Sequence, residues 1–79
     1  MKIDISPKPE LDIEHLNTAI TVGTAKSPQY LIMNYSTFTS LRNQTDYCKE
    51  EYAGNAYYKY RGIKISLCEA LEYGQIDIV

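Results

Sequence analysis

The second half of the chain carries an order of elements that leaves few folds open. An apolar run, Tyr30-Leu-Ile-Met-Asn34, leads into a helical segment. A tyrosine-rich stretch then turns at Arg61-Gly62 into Ile63-Lys-Ile-Ser-Leu67, and the chain closes on Gly74-Gln-Ile-Asp-Ile-Val79. Tyr30 to Met33 is short, apolar and bounded by turn signals, the pattern of a buried central strand. Asn34 and Ser36 are both able to cap a helix, with Phe38, Leu41, Thr45 and Cys48 on one face of it. Lys49-Glu50-Glu51 is expected to finish this helix in solvent, and Gly54-Asn55 to break it. Tyr57 to Tyr60 is expected as a strand with rings on both faces, and Arg61-Gly62 as a turn or bulge. Ile63, Ile65 and Leu67 alternate with Lys64, Ser66 and Cys68, which predicts a half-buried strand. Residues 69–73 form a short excursion, and Ile76 and Ile78 alternate with Gln75 and Asp77 in a last strand.

Upstream, Ile3 and Ile5 permit a short strand that Pro7 and Pro9 end. Pro9 suits a first helical turn, and Glu10, Asp12 and Glu14 complement the helix dipole. Ile13, Leu16 and Ile20 recur at helical spacing with Val22 beyond them, and Gly23 is a natural stop. These signals predict a helix over roughly residues 9 to 22. Thr24 to Gln29 is a polar connection punctuated by Pro28. The pattern is α+β, with two helices packed on one face of a small, mostly antiparallel sheet of about four strands. Residues 1–79 are expected to form a single domain.

Composition narrows the function classes. Eight Lys or Arg stand against ten Asp or Glu, a formal net charge of −2, and no basic stripe exists to release counterions, so direct nucleic-acid binding is not expected. No stretch is long and apolar enough for a membrane span, and Met1-Lys-Ile-Asp-Ile-Ser-Pro7 lacks the apolar core of a signal peptide. Cys48 and Cys68 have no CxxC spacing, and His15 is the only histidine. No metal or cofactor is therefore expected, and the thiols read as reduced and partly buried, although spacing alone leaves a disulfide open. His15 falls on the polar side of its helix without a catalytic partner. Glu50-Glu51 and Glu69 with Glu72 lie in no catalytic frame, and Gly54, Gly62 and Gly74 are too isolated to cradle a phosphate. Enzymatic activity is not expected.

From Tyr30 to Val79 the order of elements resembles the peripheral-domain core of the tailed-phage major capsid fold, which is also found in encapsulin shells. That family often has a strand reading like "wvmnp", a capping position and a helix with a mid-helix Leu. A loop and strand follow, then a Gly before a second strand and a closing "lp-x-G" turn. Leu31-Ile-Met-Asn34, Ser36 to Leu41, Tyr57 to Tyr60 with Gly62-Ile-Lys-Ile65, and Ala70-Leu-Glu-Tyr-Gly74 stand in those places. Tyr35 and Lys64 occupy positions where the family has Pro, and the chain is shorter than a complete shell protein. The resemblance implies a stand-alone relative, a decoration or accessory protein, or a phage protein that reuses the scaffold. It places the protein in a virion or in host cytoplasm.

The expected function is that of a viral, phage-type structural or accessory protein acting by protein–protein contact, with itself or a foreign partner, and as a possible homo-oligomer. Tyrosine supports this: eight copies against one Phe and no Trp suit surfaces shared with a partner. Tyr52, Tyr57, Tyr58 and Tyr60, with Arg61 beside them, are the candidate protein-binding residues, since Tyr and Arg are favoured at hot spots. Strand 57–60 at a sheet edge would accept another chain. The alternative is a small phage-encoded inhibitor that binds and blocks a host enzyme or defence complex. There Asp46, Glu50, Glu51, Glu69, Glu72 and Asp77 would compete for a basic groove, a task for which a charge of −2 is mild.

Overall fold

A computed structural model describes residues 1–6, 10–22 and 28–79, with the backbone alone at residues 52, 53, 55 and 56. The elements run β1 (Lys2–Asp4), α1 (Ile13–Val22), β2 (Tyr30–Met33), α2 (Tyr35–Gln44), β3 (Cys48–Ala53), β4 (Asn55–Tyr60), β5 (Ile63–Leu67) and β6 (Gln75–Ile78). The architecture is α+β, as expected. The strands form one mixed six-stranded sheet in the order β1-β6-β2-β5-β4-β3. Neighbours are antiparallel except β2 and β5, which run parallel with Leu31 opposite Ile65 and Met33 opposite Leu67.

Alternation along the strands separates the two faces. Leu31, Met33, Ile63, Ile65, Ile76, Ile78 and Tyr60 point to one side and are buried. Both helices cover that side. Leu16 of α1 and Phe38 and Leu41 of α2 are buried in the same cluster. The Tyr60 hydroxyl of β4 donates to Asn17 Oδ1 of α1 at 2.5 Å, and the Tyr58 ring, two residues earlier, meets Phe38 of α2 at 4.8 Å. The opposite face carries Lys59, Lys64 and Ser66 among other polar residues.

Asn34 starts α2 by accepting from the Thr37 N–H at 2.7 Å. Its amide also donates to the Leu71 carbonyl at 3.1 Å. The excursion between β5 and β6 is thereby folded back over the helix N-terminus. Glu69 Oε2 accepts from the Tyr35 N–H (2.9 Å), Thr37 Oγ1 accepts from the Gly74 N–H (2.9 Å), and the Tyr73 hydroxyl donates to Ser40 (3.0 Å). Carboxylate and hydroxyl oxygens here satisfy amide groups that the helix and the turn leave open. Gly74 has φ +85°, and a Cβ built there would stand 2.4 Å from Ser6 Cβ, so both its conformation and its surroundings require glycine.

Two expected boundaries move. Helix α2 ends at Gln44, and the stretch expected to continue it is strand β3, each residue of which pairs with β4 from Cys48↔Tyr60 to Ala53↔Asn55. The consecutive charges of Lys49-Glu50-Glu51 suit an exposed strand as well as a solvated helix end, and pairing along the whole of β4 decides between them. Helix α1 begins at Ile13 because the backbone of Leu11 is already bound. The Gln44 side chain accepts from the Leu11 N–H at 2.9 Å and donates to the Leu11 carbonyl at 2.8 Å. Asp12 then caps the helix through the His15 N–H (3.0 Å). Pro7, Pro9, Gly23 and residues 24–27 lie outside the described residues.

Candidate functional site

β4 leaves its neighbour early. It joins β5 through the tight turn at Arg61 and Gly62, both with positive φ (51° and 86°), and registers with it only at Tyr60↔Ile63 and Lys59↔Lys64. Beyond these pairs β5 continues along β2, whereas β4 stays with β3 throughout. The two strands part like the arms of a V, and α2 lies across one side of the opening.

The resulting cleft has a volume of about 410 Å³, within the range of small binding pockets. Its α2 wall is Tyr35, Phe38 and Arg42, which share a helix face by their spacing of three and four. The β4 wall is Tyr57 and Tyr58, and the β5 wall is Ile65 and Leu67. Phe38 is buried, but at the mouth Tyr35 and Leu67 are 55% and 50% exposed. Leu67 lies on the apolar side of β5, as its alternation predicts. It is nonetheless uncovered, because β4 has diverged before reaching it.

The polar chemistry of the cleft centres on Arg42. Its guanidinium carbon sits 5.3 Å from the Phe38 ring centroid and 5.5 Å from that of Tyr58, a doubly stacked cation. Nη1 donates to the Tyr58 hydroxyl at 3.1 Å, and that hydroxyl donates to Glu50 Oε2 at 3.2 Å. Among the described residues, Arg42 makes no ion pair. Tyr57 is held from the other face. Its hydroxyl donates to Glu51 (3.1 Å), and the ammonium groups of Lys64 and Lys59 lie 5.0 and 5.8 Å from its ring.

Of the residues singled out from sequence, the structure brings Tyr57 and Tyr58 together in the cleft. Tyr60 is a correction: it is 0% exposed and belongs to the core, so it presents nothing to a partner. Arg61 is exposed at the far end of β4, where it stacks on Tyr47 at 5.4 Å. The Tyr52 side chain lies outside the described residues. Tyr35, Arg42 and Leu67 are the residues that sequence reasoning missed as a site. The Phe38–Arg42 spacing of four was the available signal, but it names no third element.

Cys48 and Cys68 are both free, and burial pushes the Cys48 thiol up to about 11, far from a reactive thiolate. His15 is exposed on α1. Among the described residues, no group of three His, Cys, Asp or Glu is placed to hold a metal ion, and no helix is long and apolar enough to cross a membrane. Compared with known protein families, curated proteins and solved structures, the chain matches none.

Proposed function

We propose that this chain works by protein–protein contact, as a viral, phage-type structural or accessory domain, with the α2–β4–β5 cleft as its contact face. The observation that carries the contact is the cleft itself. A stacked arginine and aromatic residues of α2 and β4 line it beside an uncovered leucine, and Tyr and Arg are the residues enriched at interface hot spots. The viral assignment rests on the resemblance of residues 30–79 to the peripheral-domain core of the capsid fold. The inhibitor alternative has less support, because several of its acids are already engaged. Glu50 and Glu51 accept from tyrosine hydroxyls, Glu51 also pairs with Lys59 at 3.4 Å, and Glu69 holds the start of α2.

The test is solution mass by light scattering over a concentration series, for the native chain and for Leu67→Asp. Mass rising above 9.0 kDa with concentration, and returning to the single-chain value in Leu67→Asp, is the expected result. A native chain that stays a monomer at the highest concentration overturns the shell-type assignment.

A further inference from the structure

The register of the sheet gathers charges that the sequence scatters. Lys49 of β3 stands opposite Lys59 of β4, and Lys59 stands opposite Lys64 of β5. Lys64 in turn stands opposite Tyr30 of β2. Four neighbouring strands thus set three lysines and a tyrosine in one row. Alternation puts that row on the face the helices leave open, because Leu31, Tyr60, Ile63 and Ile65 point to the other one. Neighbouring strands lie about 4.8 Å apart, so the three lysines leave the sheet within about 10 Å of one another.

Like charges directly opposite each other destabilise a sheet, and little offsets them here. Glu51 pairs with Lys59 at 3.4 Å, but among the described residues Lys49 and Lys64 make no ion pair. The Lys64 and Lys59 ammonium groups meet over the Tyr57 ring instead, at 5.0 and 5.8 Å from its centroid. That ring holds two cations side by side. Asp77, farther along the same face, is taken by the terminal ammonium of Met1 at 3.3 Å. The row is a local excess of positive charge on a chain whose net charge is −2, and it calls for an anion from outside.

Tyr30 narrows the choice of anion. Its ring is 40% exposed and, among the described residues, stacks on no other ring. An open ring beside a line of cations on a flat sheet is how proteins hold single-stranded nucleic acid, with a base on the ring and phosphates on the cations. An acidic protein would answer the lysines and leave the ring without a flat partner. A duplex keeps its bases stacked on each other, and its grooves admit a helix or a ribbon rather than a flat face.

We propose that the open face binds single-stranded nucleic acid, with phosphates on Lys49, Lys59 and Lys64 and a base stacked on Tyr30. None of these residues lines the α2–β4–β5 cleft, so this reading and the contact face stand or fall separately.

The probe is fluorescein-labelled decathymidylate, titrated with the chain over a series of salt concentrations and read by anisotropy. Three phosphate contacts predict a slope of log K against log salt of about −2. Lys49→Gln and Lys64→Gln are each expected to flatten it by about 0.7. Lys2→Gln removes the same charge from the far edge of the same face and leaves the slope as it was. Tyr30→Ala weakens binding by about tenfold with the slope kept, since stacking releases no counterion. In the unaltered chain, the oligonucleotide shifts the amide resonances of Tyr30, Lys59 and Lys64 and not those of α1. Three results overturn the proposal: no binding at low salt, a slope that follows Lys2 as closely as the row, or amide shifts confined to other elements. A polyglutamate peptide that binds as tightly as the oligonucleotide, with Tyr30→Ala weakening neither, also overturns it and makes the occupant an acidic protein.

Discussion

Tyr60 shows how one register decision assigns a residue its role. On β4, alternate rings must face opposite sides of the sheet, which the Tyr57-Tyr-Lys-Tyr60 pattern already implies. Which side is covered by helices is decided by α1, whose Asn17 receives the Tyr60 hydroxyl. Burial pushes this phenol up from about 10 to about 12, and the nearby Cys48 thiol from about 9 to about 11. Both groups are neutral when protonated, and the fold holds them so. The unfolded chain gives up these protons first, so stability is whole below about pH 9 and falls between about pH 9 and 12. Tyr60→Phe is expected to cost about 1 kcal/mol at neutral pH through the lost hydrogen bond and to flatten the upper part of that decline. Urea midpoints measured against pH for both proteins check this; parallel curves would place the alkaline loss elsewhere.

At the scale of elements, the helices and strands are joined by side chains that act as backbone. Gln44 is the clearest case. At the last residue of α2, its amide closes a two-bond pair with Leu11, fixing where α1 can begin. Leu11 is buried and brings its side chain into the core with it. Gln44→Ala removes both bonds; the Leu11 carbonyl keeps the Ile13 N–H at 3.0 Å, but the Leu11 N–H is left partly buried without Gln44, an expected loss of roughly 2 kcal/mol. A urea titration gives the magnitude, and faster amide exchange at Leu11 relative to Leu31 localises it; an unchanged Leu11 amide would mean that water replaces Gln44 there. None of this was legible from sequence, because a glutamine at the end of a helix carries no signal of a partner 33 residues away. The Asn34 cap was legible, since its geometry is local. Its second bond, to Leu71, was not.

For the whole molecule, the sheet divides unequally. β1, β6, β2 and β5 form a continuous unit over the core. The β3–β4 hairpin is registered to it through two residue pairs beside the Arg61-Gly62 turn. An arm joined so narrowly opens more easily than the sheet that carries it. Amides of Lys49 to Glu51 are therefore expected to exchange about tenfold faster, or more, than those of Leu31 to Met33. Equal protection in both would show that hairpin and sheet open as one unit, and that the cleft is rigid.

Periodicity and capping chemistry in the sequence alone determined β2, β5, β6, the apolar stripe of α1, the start of α2 and the α+β class. Each follows from interactions within a few residues, so a local pattern is sufficient to announce it. The tertiary structure decided the rest. It turned the acidic end of a presumed helix into β3, buried Tyr60, left Leu67 uncovered and opened the cleft where β4 parts from β5. The physical reason is the same in every case. Alternation states which face of a strand is apolar, but its neighbour is chosen by backbone hydrogen bonds to another segment, next in the chain for β3 and distant for β5, and these leave no periodic trace in either one.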